Sequence, residues 1–479
     1  MRAFIQRQRR LVVGIALLVL VGPVWSAEPD AAYYHEGPLA GSLKSAKPLP
    51  IYSRDPNHLW NRMFAAFYVR SSHLPNGPDG SRIKRIEGGD VIDFLGWAQT
   101  TYWSEPVVTK RLNKLLDEYI EDDGSRLIKD PLRRALFLRD MWSAYDYLIG
   151  QTIRRKGSAE VRATRDVLCR KLAKVIQSLT LPNTAINALP DTYAKALASG
   201  RFHTSSPLDP KKNYLPLGLM AKSKEWVEID FFQPDLHEDL SNRFVTLHTR
   251  SYRGRSYFRI FYRFPKGEPQ LVQYLKTLDK KGVDWKRAAQ NGFIFLKKDA
   301  PQIPIGTEVA LVQFMMTLNR ELQPTPTKIV ESIRMRSYTS TDGSNVGTTN
   351  TGLGMNVMEY TLKRRLLFDN LRAGGLHREP DDEKQYRVIF QGDRNPDWGQ
   401  DKRKTLFQQC VDCHMSPKAN RTGVHSFASI VNIGGFGVGA QLGIAVPLDF
   451  KNSQTRGRRV TKWKSKHETY RRLLEHLER

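Results

Sequence analysis

The hydrophobic pattern of this chain changes period partway along, and that change restricts the folds open to it. From about residue 55 to 200 the apolar residues recur at helical spacing. Leu138, Met141, Trp142, Tyr145, Leu148 and Ile149 follow Asp130-Pro131, which reads as an N-cap and a proline in the first helical turn. A second stripe runs through Val167, Leu168, Leu172, Val175, Ile176 and Leu179. Between about 225 and 340 the period becomes two. Val227 and Ile229 alternate with Glu228 and Asp230, and Phe258, Ile260 and Tyr262 alternate with Arg259 and Arg263. Residues 309–318 make a mostly apolar strand candidate, and Ile329, Ile333 and Met335 continue the alternation. Helices first and strands later predict an α+β body with an antiparallel sheet.

Size and composition fit such a body. With 479 residues, 40% hydrophobic and 10% aromatic, the chain can bury a large core and divides naturally into two or three domains. The formal net charge is +26, spread along the chain rather than gathered in one block. A field of that sign favours acidic partners, here an acidic redox partner or an anionic membrane surface. Nucleic acid is not expected, for a reason that lies at the N-terminus.

Residues 1–26 carry Arg2, Arg7, Arg9 and Arg10 ahead of an apolar run at 11–21, then Gly22-Pro23 and the small residue Ser26, with Ala27 next. That is the pattern of a cleaved export signal; an uncleaved N-terminal anchor is the alternative. Removing the segment lowers the net charge from +26 to +22, because its only charged residues are the four arginines. Residues 250–263 interleave five arginines with Tyr252, Tyr257, Phe258 and Tyr262, a mixture used elsewhere on single-stranded nucleic acid. In an exported protein an edge strand with a charged outer face is the better expectation.

One motif dictates a specific chemistry. Cys410-Val411-Asp412-Cys413-His414 has the C-x-x-C-H spacing of a covalent c-type haem attachment site. Two thiols three residues apart can add to the two vinyl groups of one porphyrin, and the adjacent histidine can reach the iron. A thiol–disulfide pair would call for a βαβ context, and a zinc site for a second ligand pair; neither is visible. Cys169, the remaining cysteine of three, sits on a helical stripe and reads as a buried, inert thiol. Gly435-Phe436-Gly437-Val438-Gly439-Ala440 fits G-x-G-x-x-A but lacks the strand–turn–helix setting of a dinucleotide site.

On the C-x-x-C-H motif, residues 395–479 resemble a c-type cytochrome domain, with a final helix striped by Trp463, His467, Tyr470, Leu474 and Leu477. The resemblance implies one haem c, thioether bonds to Cys410 and Cys413, and His414 as proximal iron ligand. It covers about 80 residues, the length of a small module, and says nothing about residues 27–390. The last methionine, Met415, adjoins the proximal histidine and cannot cross the ring, so the sixth ligand is open. His425, eleven residues after His414, is the distal candidate; His467, Met355 and Met358 are the others.

The resulting organisation is a signal at 1–26 and an α+β body at 27–345. The body has a helical part at 55–205 and a β-rich part at 225–345. A linker with a helix follows at 346–394, the helix at 355–371 stopping at Gly374-Gly375, and a mainly helical haem domain at 395–479 closes the chain. The expected role is an exported single-haem electron carrier. The alternatives are a peroxidase-like haem oxidoreductase with a substrate site in the body, or an envelope binding or sensor protein with a structural haem. No catalytic constellation is legible in the body.

Overall fold

Helix α3 (Pro131–Ile153) is the element around which the protein is built. Asp130 caps it, its carboxylate accepting from the Leu132 N–H at 3.0 Å. From Ala135 to Gly150 every residue is buried, so α3 is a central helix and not an amphipathic surface one. Its neighbours are α1 (Leu59–Tyr68), α2 (Pro106–Glu121) and α4 (Ala159–Leu179), with the short α5 (Asn183–Asn187) and α6 (Thr192–Ala198) leading toward the sheet. The Ser158 hydroxyl caps α4 by accepting from Val161 N–H at 3.3 Å. This computed structural model describes residues 50–68, 70–71, 86–87, 106–153, 157–221, 225–230, 256–282, 284–287, 297, 301–339, 351–352, 355–369, 374–379, 446–447, 461 and 465–478.

The helical layer is tied to the chain that enters it. Asn61 of α1 accepts from the Ile51 and Tyr52 amides at 3.1 and 2.7 Å, and donates to the Ser53 and Asp55 carbonyls, both at 2.7 Å. One buried side chain therefore satisfies four backbone groups of an irregular segment. Trp60 stacks on Phe137 of α3 with centroids 4.4 Å apart and donates its indole N–H to Gly124 O at 2.9 Å.

Two-residue strands β1 (Arg70–Ser71) and β2 (Ile86–Glu87) pair with each other. The main sheet is antiparallel and holds β3 (Val227–Asp230), β4 (Ser256–Arg263), β5 (Glu308–Leu318), β6 (Pro324–Tyr338), β7 (Thr351–Gly352), β8 (Met355–Leu362), β9 (Leu376–Arg378) and β10 (Val446–Pro447). The order is β10-β3-β4-β5-β6-β8-β7, with β9 also on β8. The β5–β6 hairpin supplies its longest ladder. Gln323 N–H donates to the Asn319 side chain at 2.7 Å in the turn, and Leu322 takes a left-handed φ of 60°. Opposite Gln313 and Phe314 the register skips Glu331, a bulge that leaves this residue outside the ladder pairing.

Helices and sheet share one apolar core, so the helical part at 55–205 and the β-rich part at 225–345 pack as one body. Val330 N–H, for example, donates to Thr192 Oγ1 of α6 at 2.7 Å. Helix α7 (Gly267–Thr277) follows β4, and the short α8 (Arg364–Asp369) follows β8.

Two local expectations are corrected. The expected helix at 355–371 is strand β8 up to Leu362 and helical only in α8. Residues Val357 to Lys363 are all buried, so polar–apolar alternation is lost and the apolar spacing mimics a helix. Gly374 and Gly375 do mark the turn, with φ of 66° and 74°. A Cβ on Gly374 would lie 2.0 Å from Thr192 O, so the turn needs the missing side chain twice over. The second correction concerns residues 250–263: β4 lies between β3 and β5 and is not an edge strand.

The C-terminal helix α9 (Glu468–Glu478) packs on α3 and α4. Tyr470, Leu473 and His476 form its buried face, and Tyr470 donates to Leu322 O in the β5–β6 turn at 2.9 Å. β10 likewise pairs with β3. The last stretch of chain thus returns to the helical layer and to the sheet.

Candidate functional site

The haem-binding expectation falls outside the described residues. Cys410, Cys413, His414 and the distal candidate His425 all lie outside the described residues, as does the N-terminal segment 1–26. As a donor set, two thiols and an adjacent imidazole in the order C-x-x-C-H suit covalent porphyrin attachment and axial ligation. Among the described residues no group of three or more His, Cys, Asp or Glu side chains could hold a metal ion, and no helix is long and apolar enough to cross a membrane.

Two of the other ligand candidates have side chains among the described residues. Met358 is fully buried in β8 opposite Met335, in the core of the sheet. His467 precedes α9 by one residue, and its Nδ1 accepts from Thr469 N–H at 3.3 Å. That is a helix-capping role at a half-buried site, and it replaces the expected place on an apolar helix face. Cys169 is fully buried on α4, and burial pushes its thiol well above the ordinary range. It is the inert thiol expected of its stripe.

Three polar clusters in the body were not legible beforehand. The largest joins α3, α8 and the sheet. Asp140 accepts from Arg364 Nη2 at 2.5 Å and from the Tyr52 hydroxyl, while Arg139 Nη1 lies 3.8 Å away. Arg139 Nε donates to Glu331 at 2.6 Å, and the other Glu331 oxygen accepts from Ser256 at 2.5 Å and Gln313 at 2.6 Å. All these side chains are fully or almost fully buried. Burial opposes the charge on Arg364, but Asp140 and Tyr52 outweigh it and hold the guanidinium as a cation. Burial raises the Tyr52 phenol, which stays neutral. Such a charge-matched cluster fixes how the helices sit on the bulged hairpin.

The second cluster holds the C-terminal helix. His476 Nδ1 lies 3.0 Å from the Tyr145 hydroxyl of α3, and its Nε2 lies 3.1 Å from Asp166 Oδ1 of α4. A neutral imidazole satisfies both by accepting at Nδ1 and donating at Nε2. The sequence signal was the helical stripe of α9, whose centre is Leu473 and His476 rather than its flanking positions.

The third sits where β4 and β5 begin to pair with the loop after α6. Glu308 is buried and accepts from Leu208 N–H at 2.8 Å, Tyr214 at 3.1 Å and Arg263 Nη1 at 3.1 Å. Burial raises its carboxyl above the ordinary value against those three donors. Arg263 also donates to Glu225 at 2.6 Å, and Arg259 grips Glu228 at 3.1 and 2.8 Å. The described arginines of the 250–263 run, Arg259 and Arg263, are thus engaged with carboxylates of neighbouring strands and of the loop before β3.

Comparison of the chain with known protein families, with curated proteins and with solved structures returns no match.

Proposed function

We propose that this protein is an exported c-type cytochrome that carries a single covalently attached haem and serves in electron transfer. The observation that carries this reading is Cys410-Val411-Asp412-Cys413-His414, supported by the export pattern at residues 1–26, since C-x-x-C-H haem attachment and secretion belong to the same side of the membrane. Cys410 and Cys413 would hold the porphyrin and His414 would ligate the iron, with His425 as the distal candidate. Bound there, haem c supplies reversible one-electron exchange at the iron. In this reading residues 395–479 are the haem-bearing part; its last helix, α9, packs on α3 and α4. The strongly positive chain favours an acidic redox partner.

The test is a reduced-minus-oxidised visible spectrum of protein purified after export. A c-type α-band that survives acid–acetone extraction is expected, and it disappears in the Cys410→Ala/Cys413→Ala variant. Covalent haem retained in that variant refutes the assignment. The lack of any methionine after Met415 favours a second reading, in which the iron has an open position. A peroxidase-like oxidoreductase or a haem-bearing sensor would then follow. Carbon monoxide binding to the reduced protein selects that reading; an unchanged spectrum selects the carrier.

A further inference from the structure

Strands β9 and β10 lie on opposite flanks of the main sheet, with β8, β6, β5, β4 and β3 between them. Six antiparallel pairings link the two, so they run in the same direction. The chain that joins them, residues 380–445, leaves at one end of the sheet and re-enters at the other. On the way it crosses about 29 Å, six strand spacings of about 4.8 Å. The other long connections of the sheet differ. Residues 231–255 link the neighbours β3 and β4, and residues 340–350 leave from Tyr338 and return opposite Asn356, so each starts and finishes at one end.

One face of the sheet is already taken. Ile333, Met335, Met358, Tyr360 and Leu362 belong to the core shared with the helices, and α3, α5 and α6 pack on β5 and β6. The residues that alternate with these point the other way: Arg334, Arg336, Glu359 and Thr361, with Leu311 opposite Arg334. That outer face is polar, yet it is buried. Arg334 and Glu359 are 2% and 0% exposed and pair at 3.1 Å. Thr361 donates to Glu379, and both are buried, as is Arg336. Charges shielded to this degree need a cover. Among the described helices, α7 packs chiefly on β4 and β10, across the sheet from β8.

We propose that residues 380–445, the stretch that holds the C-x-x-C-H motif, cross the sheet on this outer face and dock on the row formed by Arg334, Arg336, Glu359 and Thr361. Length fits: a compact stretch of 66 residues (445 − 379) has a radius of gyration of about 11 Å and is about 28 Å across, close to the width to be covered. Charge fits as well. Residues 381–401 hold six acidic against three basic residues in a chain of net +26, so the part that follows β9 is matched to the two arginines. The docking rests on strand connectivity and stands whether or not haem is attached. It makes the motif-bearing stretch part of the body and not a module hung from it.

The experiment is photo-cross-linking of the full chain, purified after export. Photo-leucine, a diazirine analogue close to leucine in size, replaces leucine in the otherwise unchanged sequence and reports from half-buried Leu311. p-Benzoylphenylalanine in place of Val357, which stands opposite Arg336, reports from a second point of the outer face. The same residue in place of Ile120, exposed on α2, is the control. Cross-linked peptides are mapped by mass spectrometry, with a far-UV spectrum to show that each variant is folded. Haem content is read on the same samples by pyridine haemochrome, so loss of haem and loss of docking are scored apart. Links from Leu311 and Val357 to residues 380–445, and none from Ile120, are expected. Links from the outer face to residues 1–49, 231–255 or 340–350 in place of 380–445, or no link to 380–445 from Leu311 in the unsubstituted chain, would overturn the proposal.

Discussion

Asp140→Asn tests whether the buried ionic cluster carries the docking of helices on sheet. The asparagine keeps the shape of Asp140 but removes the carboxylate charge that Arg364 Nη2 contacts at 2.5 Å, and its amide nitrogen adds a donor where acceptors are needed. Arg364 and Asp140 are 1% and 0% exposed, so solvent cannot take over. Breaking such a pair from one side costs about 3–5 kcal/mol. That is a large share of the roughly 5–15 kcal/mol by which native domains are stable. The assay is urea unfolding followed by far-UV circular dichroism and tryptophan fluorescence, whose coincidence checks two-state behaviour. A companion variant, Tyr52→Phe/Asp140→Leu/Arg364→Met, removes every polar member of the inner contact at once. It should cost less than the single change, because an apolar replacement leaves no unpaired buried charge. A loss under about 1 kcal/mol for Asp140→Asn, or a triple variant worse than the single one, refutes this reasoning.

Three further outcomes are expected. Of the three cysteines, the denatured haem-bearing protein should show one reactive thiol and the native protein none, because Cys169 is fully buried; three thiols in guanidinium would contradict covalent attachment. Glu308→Gln gives a pH signature. Burial raises the folded-state pKa of Glu308, so its favourable protonated form is fully present below the unfolded carboxylate value and is lost as pH rises through the raised one. Relative to the native chain, E308Q should therefore gain stability between pH 4 and pH 7; a flat or opposite trend in urea midpoints counts against dominant desolvation. Gly374→Ala should lower stability by at least about 2 kcal/mol in the same assay, since a left-handed φ and the Thr192 carbonyl both oppose a side chain. A neutral effect would mean that the turn is placed differently.

Local chemistry was readable along much of the body. The Asp130-Pro131 start of α3, the stripe of α4 and the near-continuous apolar run of β5 each announce their element, because a single period or cap dominates the sequence there. β8 defeated the same reasoning, since both of its faces are buried and nothing polar alternates to reveal the strand. The arginines of β4 misled for a related cause: their partners Glu225, Glu228 and Glu308 come from other strands and loops, and composition alone sees only unbalanced charge. The candidate haem site was legible entirely in sequence, as a fixed spacing of five residues. The clusters around Asp140, Glu308 and His476 were not, because their members lie up to 331 residues apart.

Sequence by itself determined the helix-then-strand order, the C-x-x-C-H donor set, the export pattern and the excess of positive charge. These are properties of neighbours along the chain, where spacing carries the physics. Tertiary structure decided that α3 is a central helix and that β4 lies inside the sheet. It also brought the C-terminal helix back onto α3 and α4 through Tyr145, His476 and Asp166. Those outcomes depend on which distant groups can satisfy one another once water is excluded, and no local pattern encodes that pairing.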